Sequence, residues 1–195
     1  AASASYNPSM QETLLGGLSA RAFLRRHWQK RPLLVRGALP GFTGVAGTRE
    51  LFALASRNDV ESRMVRRVKG RWEVRDGPLP RAALARAGGR DWTLLVNGVD
   101  HHVPAAARLL RRFAFVSEAR LDDVMVSYAV PGGGVGPHVD SYDVFLVQAR
   151  GRRLWRLARA RPFALVPGAP LKLIEGFRAE QELVLGPGDL LYLPP

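Results

Sequence analysis

The chain contains no cysteine. Disulfides and thiolate metal sites are therefore excluded. Lysine is almost absent as well. Lys30, Lys69 and Lys172 are the only three, so 26 of the 29 basic residues are arginine. No apolar run approaches the length of a membrane span, so no membrane partner is expected. The first residues lack the basic-then-apolar pattern of a secretion signal. Internal repeats, coiled-coil heptads and low-complexity segments are missing too. What remains is 195 residues, 47% hydrophobic and 24% charged. That is enough for one globular domain with a real core, and a cytoplasmic location fits it.

The net charge is +12. Two readings are open. One is an arginine-rich surface with its charges spread out. The other is attraction to a polyanion, such as RNA or a ribosome-bound target. Short clusters occur at Arg25-Arg26, Arg66-Arg67, Arg111-Arg112 and Arg152-Arg153, but none is a long block. Aromatics are not interleaved along a basic stripe, so direct sequence-specific nucleic-acid binding is not expected.

The first sixty residues read as a helical preamble. Ser19 caps a helix from Ala20, with Phe23, Leu24 and Trp28 facing inward. Pro32–Gly37 reads as a strand with a turn, and Thr48 opens a second helix through Leu51, Phe52 and Leu54. From Glu61 the texture changes to short Val- and Trp-rich stretches: Ser62–Lys69, Trp72–Arg75 and Trp92–Val96. Pro104–Arg112 reads as a helix with proline in its first turn. Strand patterns follow at Asp123–Val130, His138–Gln148, Arg152–Leu157, Leu171–Leu173, Gln181–Leu185 and Asp189–Leu193. Many short strands after helices predict a mainly β fold, a small barrel or double-sheet jelly roll over 61–195 with residues 1–60 packed on it.

The most informative stretch is Gly132-Gly133-Gly134-Val135-Gly136-Pro137-His138-Val139-Asp140. If this is strand, His138 and Asp140 point to one face. An imidazole and a carboxylate side by side make two thirds of the facial triad that holds non-haem Fe(II) and leaves open positions. Otherwise His138 is a hydrogen-bonded histidine, Asp140 caps a turn and the glycines make a bend. An apolar strand follows instead of a helix N-terminus, so this is no phosphate cradle. His27, beside Trp28, reads as a packing residue, and His101 and His102 lie in a turn after Asn97-Gly98. Further on, Arg153, Trp155 and Leu157 alternate onto the more apolar face of one strand. An arginine there needs a partner, either a bound carboxylate or an internal one such as Asp143 or Glu182.

The order of glycine turn, His-x-Asp, apolar strand and a later Gly188-Asp189-Leu190-Leu191-Tyr192-Leu193-Pro194 resembles the two motifs of the cupin superfamily. In that superfamily the second motif closes with a histidine a few residues after the proline, which would fall beyond Pro195. Val130–Leu157, together with Trp28–Leu33, Trp92–Val96 and Leu121–Met125, resembles the bacterial ribosomal oxygenases. These are JmjC-type protein hydroxylases dependent on Fe(II) and 2-oxoglutarate.

The resemblance implies a double-stranded β-helix with an N-terminal helical preamble. It implies that this chain is part of a longer protein, truncated before the distal metal histidine and before a dimerisation region, with a homodimer expected of the intact protein. His138 and Asp140 would be the metal ligands and catalytic residues, and Arg153 would hold the distal carboxylate of 2-oxoglutarate. Dioxygen would be the oxidant. Asp123 and Tyr142 would grip the substrate, an arginine of ribosomal protein L sixteen in the large subunit, hydroxylated at its β-carbon. Read without the family, Asp123 is a turn or cap carboxylate and Tyr142 a packing residue. The alternatives in function are a histidyl hydroxylase of ribosomal proteins and a non-catalytic cupin-like binding protein.

Overall fold

The computed structural model describes residues 13–159 and 162–195. Nine strands form three antiparallel sheets among them. They are β1 (Leu33–Val35), β2 (Ser62–Val68), β3 (Arg71–Asp76), β4 (Trp92–Val96), β5 (Val126–Ala129), β6 (Val144–Val147), β7 (Arg153–Leu157), β8 (Gln181–Leu185) and β9 (Leu190–Leu193). The chain divides into two compact units.

One unit comprises the segments up to Gly44, from Val139 to 159 and from Arg178 to Pro195. Its central sheet has the order β1-β9-β6, and β7 pairs with β8 beside it in sequence. Strand β9 is fully buried from Leu190 to Tyr192, as its unbroken apolar run requires. The helix Ala20–Arg26 starts where Ser19 Oγ accepts from the Ala22 N–H at 3.2 Å. Its buried Phe23 meets Tyr192 edge-on at 4.9 Å and Phe145 at 5.7 Å. The preamble is thus tied to the sheet by β1 pairing with β9 and by an aromatic cluster.

Asp189 fixes the turn into β9. Its carboxylate accepts from Gly186 N (2.9 Å), Gly37 N (2.9 Å) and Arg36 Nη1 (2.6 Å). Burial by itself raises this carboxyl. The two backbone donors and the Arg36 charge more than offset that, so it titrates below the usual carboxylate range.

The second unit comprises residues 45–138 and 162–177. Its sheet has the order β3-β2-β4-β5. Alternation puts Met64, Leu94 and Val96 on one face, where they join Leu51 and Leu54 of the helix Thr48–Ala55, Leu84 of Arg81–Ala85 and Ala106 of Pro104–Arg111 in one buried cluster.

Three sequence expectations are corrected. The strand expected over His138–Gln148 pairs only from Val144 to Val147, because Pro137, Asp140, Ser141 and Asp143 favour bends over a ladder. The strand expected at Leu171–Leu173 is reduced to an isolated bridge between Leu165 and Ile174. The five-residue helix Arg81–Ala85 was not expected. It is one short turn after Pro80, held by packing of Leu84 more than by a periodic pattern.

Replacing Asp189 with Asn should lower the unfolding free energy by about 1–3 kcal/mol, the scale of hydrogen bonds to a charged group. Because the folded carboxyl is depressed, its stabilisation is full above the unfolded value near about pH 4 and fades as pH falls through the lower folded value. Urea denaturation at pH 7 and at acid pH checks both: Asp189→Asn should lose stability at pH 7 and show a shallower decline on acidification.

Candidate active site

The glycine turn is a place of close backbone approach. Gly132 and Gly136 have positive φ (80° and 78°). A side chain on Gly133 would run into the Trp92 carbonyl oxygen, and one on Gly136 would press on Leu173 and Trp72. The turn is sewn to its surroundings by Gly133 N–H to Val130 O (2.8 Å), Asp91 N–H to Pro131 O (2.9 Å) and Ile174 N–H to Pro137 O (2.9 Å). Only glycine admits this packing, and the residue delivered at its end is His138.

His138 is exposed, and its Nδ1 lies 2.9 Å from the Gly136 carbonyl oxygen. A carbonyl only accepts, so this contact requires a proton on Nδ1, and a neutral ring would then carry its lone pair on Nε2. That is the arrangement in which metal-binding histidines are commonly held. His138 and Asp140 do not sit on a hydrogen-bonded strand, so the alternation argument for their common face lapses; both fall in the bend leading to β6. The same holds for Tyr142, which is 63% exposed. It is therefore no core-packing tyrosine.

Three residues after Asp140, the carboxylate of Asp143 is anchored. It accepts a short hydrogen bond from the buried Tyr192 hydroxyl and longer ones from Gln29 N and Nε2, both 3.4 Å. The hydroxyl itself accepts from Gln29 N–H at 2.8 Å. Burial, then the acceptor Asp143, push the Tyr192 hydroxyl far above the usual tyrosine value, so it stays a donor. Sequence reasoning missed this network. Its one legible sign was a tyrosine inside the apolar run of β9, since a buried phenol needs a partner.

Arg153 opens β7 opposite Leu185. Burial alternates along the strand, with Arg153, Trp155 and Leu157 on the covered side and Leu154 and Arg156 outside. Burial pushes the Arg153 guanidinium below the usual arginine value. Glu182 binds Arg156 at 2.7 Å, and Asp143 accepts from Tyr192. On the same covered face, the buried Trp155 Nε1–H has no hydrogen-bond partner among the described residues. A donor left in that state is a cost that a bound acceptor would remove.

Asp123 is partly committed to the fold. Its Oδ2 accepts from the Gly98 N–H at 2.5 Å, while Asp100 accepts from Val124 N–H at 2.8 Å. His27 stacks on Phe23 at 6.0 Å and lies 3.1 Å from the Pro32 carbonyl, and His101 neighbours His102 and Asp100. Among the described residues no group of three or more His, Asp or Glu is placed to hold a metal. Two surface depressions, around 58–63 with 76–78 and around 41–43 with 149–151, contain none of the expected site residues.

Residues 108–195 match the JmjC domain family. The chain is 42% identical over 175 residues to the ribosomal protein uL16 3-hydroxylase of Escherichia coli, covering 89% of this chain and 46% of that protein. It is 36% identical to a probable ribosomal oxygenase of Haemophilus influenzae, covering 91% and 45%. Among solved structures, that of E. coli YcfD superimposes with a TM-score of 0.85 at 40% identity, over 91% of this chain and 48% of the other. A structure of the same ribosomal oxygenase with cobalt and 2-oxoglutarate gives 0.81. The chain thus spans about half the length of these relatives. The fold is the JmjC/cupin fold, mainly β with few helices.

Gly136→Ala should cost about 1–3 kcal/mol, the range for overpacking, because positive φ and the Leu173 contact both oppose a side chain. Chemical denaturation reads the loss. Gly134→Ala, which has open space around it, should be closer to neutral.

Proposed function

We propose, on the premise that the chain is a JmjC-domain relative of the ribosomal oxygenases, that the whole protein hydroxylates an arginine β-carbon of ribosomal protein uL16. Its cofactors are Fe(II), 2-oxoglutarate and dioxygen. The observation that carries this reading is the commitment of His138 Nδ1 to the Gly136 carbonyl, two residues before Asp140, at the end of a turn that only glycine can make.

The residues present fit the group. Imidazole and carboxylate suit Fe(II), and a desolvated guanidinium beside an unsatisfied indole N–H on one strand face suits a carboxylate. Fe(II) with 2-oxoglutarate and dioxygen supplies, when bound, the oxidising power that side chains lack. Two of its ligands in this sequence would be His138 Nε2 and an Asp140 oxygen. Arg153 would hold the distal carboxylate of 2-oxoglutarate with parallel N–H donors, fixing which end of the co-substrate points inward. The substrate arginine would be gripped by Asp123, through the oxygen not engaged by Gly98, and covered by the exposed Tyr142. The protein's contribution is placement, because the position of the target carbon decides which bond is hydroxylated. Residues 1–60 serve as a preamble to the barrel. The same reading carries a homodimer and a cytoplasmic setting for the whole protein.

The test is the intact protein with Fe(II), 2-oxoglutarate and recombinant uL16, read by tandem mass spectrometry. One added oxygen on an arginine is expected, and His138→Ala should abolish it. Arg153→Met should raise the KM for 2-oxoglutarate by about 10–100-fold, the equivalent of one or two charged hydrogen bonds. Iron and 2-oxoglutarate bound without product would overturn the substrate. Failure to bind either would favour a non-catalytic cupin-like protein.

A further inference from the structure

The oxygenase reading makes no use of the chain's charge, and the structure shows where that charge is gathered. Residues 62–90 carry nine cations against two anions, a net +7 of the chain's +12. All nine cations are exposed. Most of them lie on the β2–β3 hairpin. Its two acidic residues are already neutralised within it: Asp76 pairs with Arg63 at 2.7 Å and Glu73 with Arg66 at 2.6 Å. Arg67, Lys69, Arg71 and Arg75 have no carboxylate within ion-pair distance among the described residues. The nearby Asp91 is turned towards Gly132.

The hairpin is also shaped as a ribbon. Strand β4 pairs with β2 only as far as Arg66, opposite Trp92, so the tip from Arg67 to Arg71 extends beyond the sheet. Register puts Arg71 and Arg75 on one face and Arg67 with Trp72 on the other, with Lys69 at the turn. The Arg67 guanidinium lies 5.8 Å from the Trp72 ring centre, which supplies the aromatic partner that the sequence pattern alone did not reveal. Arg90 adjoins the same tip, since the Arg67 N–H donates to the carbonyl of Asp91.

We propose that this ribbon docks on the phosphate backbone of RNA. Arginine is the side chain whose planar fork matches phosphate. Free cations on both faces and at the tip suit a flexible linear polyanion better than one face of an acidic protein. A lipid surface is a poorer match, because none of the exposed large apolar side chains falls within 62–90 to anchor insertion. Phosphate contacts carry no sequence information, so the docking is sequence-tolerant and salt-sensitive. It stands on this surface alone and not on the hydroxylase reading.

The test is fluorescence anisotropy of the full chain with a labelled 12-nucleotide single-stranded RNA across a salt series, with polyglutamate and anionic phosphatidylserine vesicles as competing probes. Binding of the RNA is expected. The triple variant Lys69→Gln, Arg71→Gln, Arg75→Gln should weaken it by about tenfold or more and flatten the log–log salt slope by about 2, at roughly 0.7 per lost phosphate contact. An equal-charge control, Arg49→Gln, Arg108→Gln, Arg111→Gln, lies off the ribbon and should change affinity little. Circular dichroism confirms that both variants fold, and single Lys69→Glu provides an independent reading at the tip. The proposal fails if the two triple variants lose affinity equally, if RNA does not bind, or if polyglutamate or vesicles bind as tightly as RNA.

Discussion

A single buried hydroxyl sets the frame on which half of the candidate site is built. Tyr192 cannot be buried in the aromatic cluster of Phe23, Trp28 and Phe145 unless its oxygen is satisfied. It is satisfied twice, by donating to Asp143 and accepting from Gln29. Those two bonds join the segment just after the helix Ala20–Arg26, the residue before β6 and strand β9. The bend that carries Asp140 therefore ends at a fixed point. The desolvation that keeps the Tyr192 hydroxyl protonated also keeps it a donor.

The other end of the bend is held by a different device. At Gly132, Gly133 and Gly136 the constraint is space: an added side chain would meet the Asp91 carboxylate, the Trp92 carbonyl, or Leu173 and Trp72. His138 leaves that turn with its Nδ1 already spent on Gly136. In the reading proposed above, in which His138 would hold a metal, a main-chain carbonyl two residues away would select the tautomer that leaves Nε2 for it.

Much of this was legible in the sequence where pattern and packing agree. Trp92–Val96 and Gln181–Leu185 are strands with the ends expected, and Ser19 caps its helix as its position suggests. The alternation that put Arg153 on the covered face of β7 is seen in its burial. At His138–Asp140 local turn chemistry outweighs the strand pattern, because proline, serine and aspartate surround His-x-Asp. Tertiary pairings were not legible. Nothing in the sequence assigns Asp143 to Tyr192, and nothing reveals that Asp123 gives one oxygen to Gly98, because such partners are distant along the chain. Nor does the sequence pattern by itself show that Tyr142 is exposed and not packed in the core.

Among the described residues, strand β3 is the outer strand of its sheet, with one row of backbone N–H and C=O groups lacking a neighbouring strand. Bare edges of this kind are templates for edge-to-edge aggregation, and natural sheets guard them with charge. Arg71 and Arg75 stand on that strand, so the same cations act as gatekeepers against self-association. A mutation that neutralises them would relax this protection, and so would concentrated salt that screens them. The solubility of the chain and its charge distribution are in this way one property, written into a six-residue edge.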